Sequence, residues 1–371
     1  MLITDPSLLE KYSTANRRWQ GIPGIEVTPK GRMFCTFYSG MDTETMGNYA
    51  VLIKSDDGGN SWSEPIAAVD VGESARAFDP CLWISPDGKL RFFWGVMPDT
   101  HIEYAVCADP DADILSWSGT GTIPGEVMLN KPTVLADGTW IFPCAVWKYG
   151  LFPECPGEKG KKTASLCVAS RDMGKTYEVL GAADAENKQF DEHMFLQKKN
   201  GDISVFIRTF YGIAECTSSD GGRTWSRDTD SRLGGPCSRF FIRRLPSGNI
   251  LLVNHYKYRG RNNLTAMISR DDGATYEGFL RLDGRPEVSY PDAAFHDGKI
   301  YIVYDRERGA HYSKTRDYSM SAREILMATV TEEDILAGKP VTPVCRLRQI
   351  ISKLSHMIPQ TEEGENKAGN T

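Results

Sequence analysis

Short apolar runs of strand length, CLWIS, LRFFW, FIRRL and NILLV among them, alternate along the chain with turn-forming residues. Pro-Asp-Gly at 86–88, Ala-Asp-Gly at 136–138, Lys-Asn-Gly at 199–201, Pro-Ser-Gly at 246–248 and His-Asp-Gly at 296–298 each sit between two such runs. Glycine accepts the positive φ of a tight turn, so each triplet predicts an antiparallel hairpin. Helical periodicity is almost missing. Two short stretches predict helices, Pro6–Tyr12 and Thr331–Ala337, the second with a Thr331 cap and acidic residues in its first turn. An α/β barrel would need helices of about 10–15 residues between its strands, so the pattern predicts an all-β fold.

A second signal repeats at longer range. Ser55–Trp62, Ser170–Tyr177, Ser218–Trp225 and Ser269–Tyr276 superimpose without gaps as S-x-D-x-G-x-[ST]-[WY]. The aspartate (57, 172, 220, 271) can accept backbone N–H groups and close a turn, the glycine two places on can take positive φ, and the aromatic ring can pack beneath. These aspartates therefore read as structural. Asp172, Asp220 and Asp271 follow one another at roughly 50 residues, one four-stranded propeller blade apart, and the gap from Asp57 to Asp172 fits two blades. The stretch from Tyr104 through Trp117 is where the degenerate turn between them is expected. Six blades of roughly 60 residues account for residues 1–359 as one six-bladed β-propeller domain, with 360–371 a polar, frayed tail.

Composition narrows the function classes. Of 371 residues, 40% are hydrophobic and 25% charged, as in an ordinary globular protein. The net charge of −6, without a Lys/Arg tract, disfavours nucleic acid and anionic membrane as partners. The nine cysteines form no CxxC pair and most lie in apolar runs, as small buried hydrophobes do in a reducing compartment. The first residues, MLITDPSLLEKYSTANRRW, carry no apolar core or cleavage site of a signal peptide, so a cytoplasmic location is expected. No HxH, HxxxH or Cys/His cluster accompanies His193, and neither a metal nor another cofactor is expected. Gly157–Lys162 has the wrong spacing for a phosphate loop.

The four turns are similar to the Asp boxes of sialidases, and the chain resembles the sialidase (neuraminidase) superfamily over nearly its whole length. Asp boxes also occur in other glycosidases, lyases and binding propellers, so the resemblance speaks first for fold. It implies a central pocket with arginines on a sugar carboxylate, a Tyr nucleophile with a Glu partner, and an Asp acid/base. Guanidinium forks suit a carboxylate, and a neutral Tyr avoids the repulsion an anionic nucleophile would meet. Matched position by position, the resemblance makes Glu192 (in FDEHMF) the glutamate, Tyr290 (in EVSYPDAAF) the nucleophile, and Arg208 and Arg261 the second and third arginines. Asp79, in FDPCLW, is similar to an aspartate that contacts substrate, and Asp42 falls where the acid/base is placed, with Glu44 second. Where sialidases open with aromatic-Arg-Ile-Pro, this chain reads Trp19-Gln-Gly-Ile-Pro23, so Gly21 takes the first arginine's place, with Arg17 and Arg18 nearby. That departure implies a divergent branch with a two-arginine pocket for a glycan of its own.

Other polar residues compete for the same pocket. Arg239 is the closest rival of Arg261, ahead of Arg243, Arg244 and Arg259. Lys131 and Arg76 precede inner-strand runs at matching places and are candidate anion contacts, while Asp292 either caps a turn or acts on substrate. His193, adjacent to Glu192, points to the opposite side if the strand is regular. Trp94, Trp147 and Tyr211 are candidates to stack on sugar. The favoured reading is a glycoside hydrolase acting on a terminal acidic or highly hydroxylated sugar of a glycan. A lyase on uronate-containing polysaccharide, with Tyr290 or His193 as base, and a binding propeller without turnover are the alternatives.

Overall fold

The computed structural model describes residues 1–41, 43–147, 162–190, 192–308 and 323–357. Its strands form six antiparallel sheets, each from consecutive strands of the chain running from the innermost outward, with the short Leu2–Ile3 strand added at the outer edge of the first. Those innermost strands are Trp19–Val27 in blade 1, Arg76–Ile84 in blade 2, Thr133–Val134 in blade 3, Met194–Gln197 in blade 4, Phe241–Arg244 in blade 5 and Val288–His296 in blade 6. The architecture is a six-bladed β-propeller. All five Gly-ended triplets connect the first and second strands of a blade, where Gly88, Gly138, Gly201, Gly248 and Gly298 have positive φ.

The repeated aspartates close turns between third and fourth strands. Asp57 accepts the N–H groups of Asn60 and Ser61 and the hydroxyls of Ser55 and Ser61, and Asp172 and Asp220 repeat the pattern. Those bonds hold each carboxyl well below its ordinary pKa. In blade 2 the degenerate turn runs from Cys107 to the Gly121–Ile123 strand, through an isolated bridge of Cys107 to Trp117. In blade 6 the helix Glu332–Ala337 stands in the turn's place, opened by a reciprocal Thr331–Asp334 capping box. The other expected helix is an α-turn over Pro6–Leu9 continued by a 3-10 turn over Glu10–Tyr12. Six cysteines are buried, Cys237 and Cys345 are half-buried, and none is disulfide-bonded among the described residues. Among the described residues no helix is long and apolar enough to cross a membrane. The 360–371 tail and most of Gly157–Lys162 lie outside the described residues.

On the axis, a buried ion cluster joins all six blades. Asp292 of blade 6 accepts the Ile25 N–H of blade 1 at 2.9 Å and lies 3.1 Å from Lys131 Nζ, at the entry to blade 3, and 3.6 Å from Arg239, at the entry to blade 5. Lys131 also donates to Glu26 at 2.8 Å and to the carbonyls of Ile25 and of Leu82 in blade 2. Arg239 donates to Asn130 at 2.7 Å, and Asn130 passes the link to the His193 carbonyl at the start of blade 4. Burial pushes the Lys131 ammonium down, but the Asp292 and Glu26 carboxylates outweigh it and raise its pKa. Removing one partner of a buried pair strands the other charge. Lys131→Met is therefore expected to lower the free energy of unfolding by roughly 3–5 kcal/mol, read from the urea midpoint. A loss below about 1 kcal/mol would show that the cluster contributes little to stability.

Candidate active site

Three inner strands share a local device. The strands of blades 1, 2 and 6 each slip register, between Gly21 and Gly24, Phe78 and Cys81, and Ser289 and Asp292. At each slip a residue before proline, Ile22, Asp79 or Tyr290, takes a positive φ of 54°, 46° or 56°. Positive φ is uncommon for residues other than glycine, and a bulge re-aims the side chain it carries. All three side chains line one cavity of about 480 Å3. Backbone strain thus collects where the pocket is formed.

Tyr290 is the centre of this cavity. Its hydroxyl donates to Glu192 Oε1 at 2.8 Å and accepts from Arg208 Nη1 at 3.1 Å, and the same Nη1 lies 2.7 Å from Glu192 Oε2. These groups come from blades 4 and 6 and are nearly inaccessible, at 6%, 5% and 3% exposure for Tyr290, Glu192 and Arg208. Burial and the Glu192 charge push the phenol pKa up, while Arg208, Arg308 and Arg261 pull it back. Burial opposes the Arg208 cation, but Glu192 and Tyr290 outweigh it and raise its pKa. Arg208 and Arg261 both donate to the Cys237 carbonyl, at 3.1 and 3.2 Å, and the Arg261 guanidinium lies 5.5 Å from the Tyr290 ring centre. The arrangement is a phenol with a carboxylate positioned to accept its proton and guanidiniums around both, and such a phenol can act as a nucleophile.

Of the residues singled out from sequence, Tyr290, Glu192, Arg208, Arg261, Asp79 and Arg76 line the cavity together, with Glu44 and Trp147. Arg239, Lys131 and Asp292 do not. They are 1–2% exposed in the axial cluster beneath, and their charges are spent on one another. Nor does His193, whose Nε2 meets the Leu166 carbonyl at 3.0 Å and whose ring packs edge-on against Phe195. Neighbours on an extended chain face opposite ways, so Glu192 takes the pocket and His193 the blade interface. Trp94 is core and donates to Glu103, and Tyr211 is exposed outside the cavity. Arg243 and Arg244 donate to backbone carbonyls away from it. Asp42 lies outside the described residues.

Arg308 was not anticipated. It is 6% exposed, its guanidinium sits 4.5 Å from the Tyr290 ring centre, Nε donates to Asp305 at 2.9 Å, and Nη1 is paired with Glu44. Ile22, Phe78, Gln189, Phe190, Cys237 and Glu287 complete the lining. The X-Pro steps Ile22-Pro23, Asp79-Pro80 and Tyr290-Pro291, at matching points of three blades, were a readable sign of the bulges. Arg308 had no such sign, because only folding brings it beside Gly21.

Among known proteins, residues 31–302 match the BNR repeat-like domain family. A sialidase of Bacteroides fragilis is 24% identical over 336 residues, covering 76% of this chain and 59% of the relative, so the chain spans less than two thirds of that protein. Among solved structures, a protein of unknown function from Dyadobacter fermentans is similar with a TM-score of 0.61 at 18% identity, covering 78% of this chain and 90% of that one. Trypanosoma rangeli sialidase in complex with sialic acid gives 0.59 at 16% identity, covering 78% of this chain and 52% of that one. At these identities the likeness of the structures establishes the fold.

Asp79 is 4% exposed and forms no ion pair among the described residues. Burial first, then the charges of Glu44 and Glu192, raise its carboxyl from 3.8 to about 7. The folded protein therefore holds a proton there that the unfolded chain releases, and the associated stability is complete below the unfolded value and lost as pH rises through about 7. Asp79→Asn, uncharged at every pH, should raise the melting temperature relative to the parent more at about pH 8 than at about pH 5. An equal gain at both, or a larger one in acid, would contradict a neutral buried Asp79.

Proposed function

The chain belongs to the BNR repeat-like family of the sialidase superfamily, and on that footing we propose that it is a retaining glycoside hydrolase that removes a terminal acidic sugar from a glycan. The observation that carries the reading is the contact of Tyr290 with Glu192 and Arg208 at the floor of the cavity. A phenol in a cleft that donates to a carboxylate able to take its proton, with guanidiniums beside both, is a candidate nucleophile. Glu192 Oε1 accepts that proton as Tyr290 Oη bonds to the anomeric carbon and the glycosidic C–O bond breaks. Asp42 gives the leaving oxygen its proton, then takes one from the water that displaces Tyr290, whose hydroxyl regains its proton from Glu192. Two displacements at one carbon leave its configuration unchanged.

The remaining lining supports an anionic sugar. Arg76, Arg208 and Arg261 bring cations to the wall, and a neutral Asp79 can donate a hydrogen bond to a sugar oxygen without repelling a carboxylate. Glu44 is paired with Arg308, which suits a charged holder better than a proton donor. Ile22, Phe78, Trp147 and Phe190 offer apolar surface to the carbon faces of a pyranose.

The test is a panel of fluorogenic sialosides, uronides, rhamnosides and neutral glycosides. Cleavage is expected for an acidic member, with the first product retaining its configuration by proton NMR. Tyr290→Phe should lower kcat at least about 1000-fold, and Glu192→Gln should follow it. A kcat unchanged in Tyr290→Phe contradicts the mechanism, an ultraviolet-absorbing unsaturated product would mark elimination instead, and no turnover of any member would leave a binding propeller.

A further inference from the structure

Gly21 and Arg308 occupy one volume. A Cβ built on Gly21 would land on Cδ and Cγ of the Arg308 side chain. Gly21 does not have the left-handed φ that demands glycine, so the backbone would accept any residue there, and the space is what excludes a side chain. Blade 1 thus lacks a side chain at the pocket wall where blade 6 sends an arginine. The two positions are far apart in sequence and meet only across the join between first and last blades.

We infer that Arg308 is the pocket's relocated anion-binding arginine, supplied from blade 6 in exchange for the side chain absent at Gly21, and that it fixes the preference for a carboxylate-bearing sugar. The inference rests on the acidic-sugar reading above and deepens it. Asp305 holds Nε, and Glu44 holds Nη1, which fixes the plane of the guanidinium. Asp305 is itself locked, accepting the Ile22 N–H at 2.9 Å and the Ser289 hydroxyl at 2.6 Å. The Arg308 carbonyl accepts the Trp19 indole N–H at 3.0 Å, so the backbone is pinned too. Nη2 donates no hydrogen bond to a described residue, and the group lies against the Tyr290 ring on the cavity wall. A rigid fork with a free N–H pair beside the nucleophile suits a carboxylate next to the anomeric carbon. Glu44 and Asp305 are positioning residues for it.

The arrangement makes the two positions exchangeable, and a four-way comparison tests it. Binding of N-acetylneuraminic acid and glucuronic acid, each beside its methyl ester, is measured by calorimetry for the parent, Arg308→Gln, Gly21→Arg and the double variant, with melting temperatures as the check on folding. The parent should favour the better-bound free acid over its ester. Arg308→Gln should weaken the free acid about 10- to 100-fold and leave the ester within about threefold. Gly21→Arg alone should lose the same preference, because the two side chains collide. The double variant should recover most of it, since the vacated space admits an arginine from blade 1. Equal weakening of acid and ester in Arg308→Gln, undiminished discrimination in that variant, or a double variant no better than the singles would overturn the inference while leaving the acidic-sugar reading standing. A parent that binds acid and ester alike would overturn that reading, and this inference with it.

Discussion

A buried cluster of charges on the axis sets the geometry of everything above it. Lys131, Arg239, Glu26 and Asp292 come from four blades, and their carbonyl and amide partners bring in the other two. Buried ion pairs are rarely strong sources of stability, but each member needs its partners in place, so they penalise any other arrangement. The effect in a ring is geometric: the inner strands of six sheets are tied to common atoms, and side chains one step further along those strands reach the cavity at fixed relative positions. Tyr290 is two residues from Asp292, and Glu192 is next to His193, whose carbonyl joins the network. The floor of the pocket and the hub of the propeller are made from the same short segments.

Those segments leave regular β geometry where they meet the pocket. Ile22, Asp79 and Tyr290 each precede a proline, sit in a bulge and have positive φ. Proline removes one ladder donor and disfavours helical backbone in the residue before it, while the bulge turns that residue toward the axis. A strand in perfect register alternates its side chains between the two faces of its own blade, and the slips let Ile22, Asp79 and Tyr290 depart from that alternation and line the cavity. The irregularity is how sheets that pack edge to centre present chemistry at their common end.

Much of this was legible in the chain and some was not. The Asp-turn motif and the Gly-ended triplets recur because each blade solves the same local problem, and local solutions leave local traces, so blade number and strand order could be read directly. Glu192, Arg208, Arg261, Asp79 and Tyr290 were legible through their motif contexts, and they share one cavity. Arg239, Lys131 and Asp292 were placed at the right radius and the wrong height, because position along an inner strand tells how near the axis a residue lies and not whether another charge already neutralises it. Arg308 was invisible for the complementary reason. Its significance depends on a void at Gly21, and a void has no signature in the residues that surround it in sequence.

The ring closes without interleaving. Blade 6 is built wholly from Val288–Ser352, and the short Leu2–Ile3 strand pairs within blade 1, so among the described residues no hydrogen-bonded ladder crosses from last blade to first. Side chains span that join instead: Trp19 to the Arg308 carbonyl, Gln20 to the Arg323 carbonyl, Arg17 and Gln20 to Ser352, and Glu44 to Arg308. Tyr290 and Arg308 stand on one bank and Ile22 and Glu44 on the other, so a ligand held between them acts as a clasp. Anything bound in that cavity would add a tie across a join that no described ladder closes, and would stabilise the closed ring by mass action.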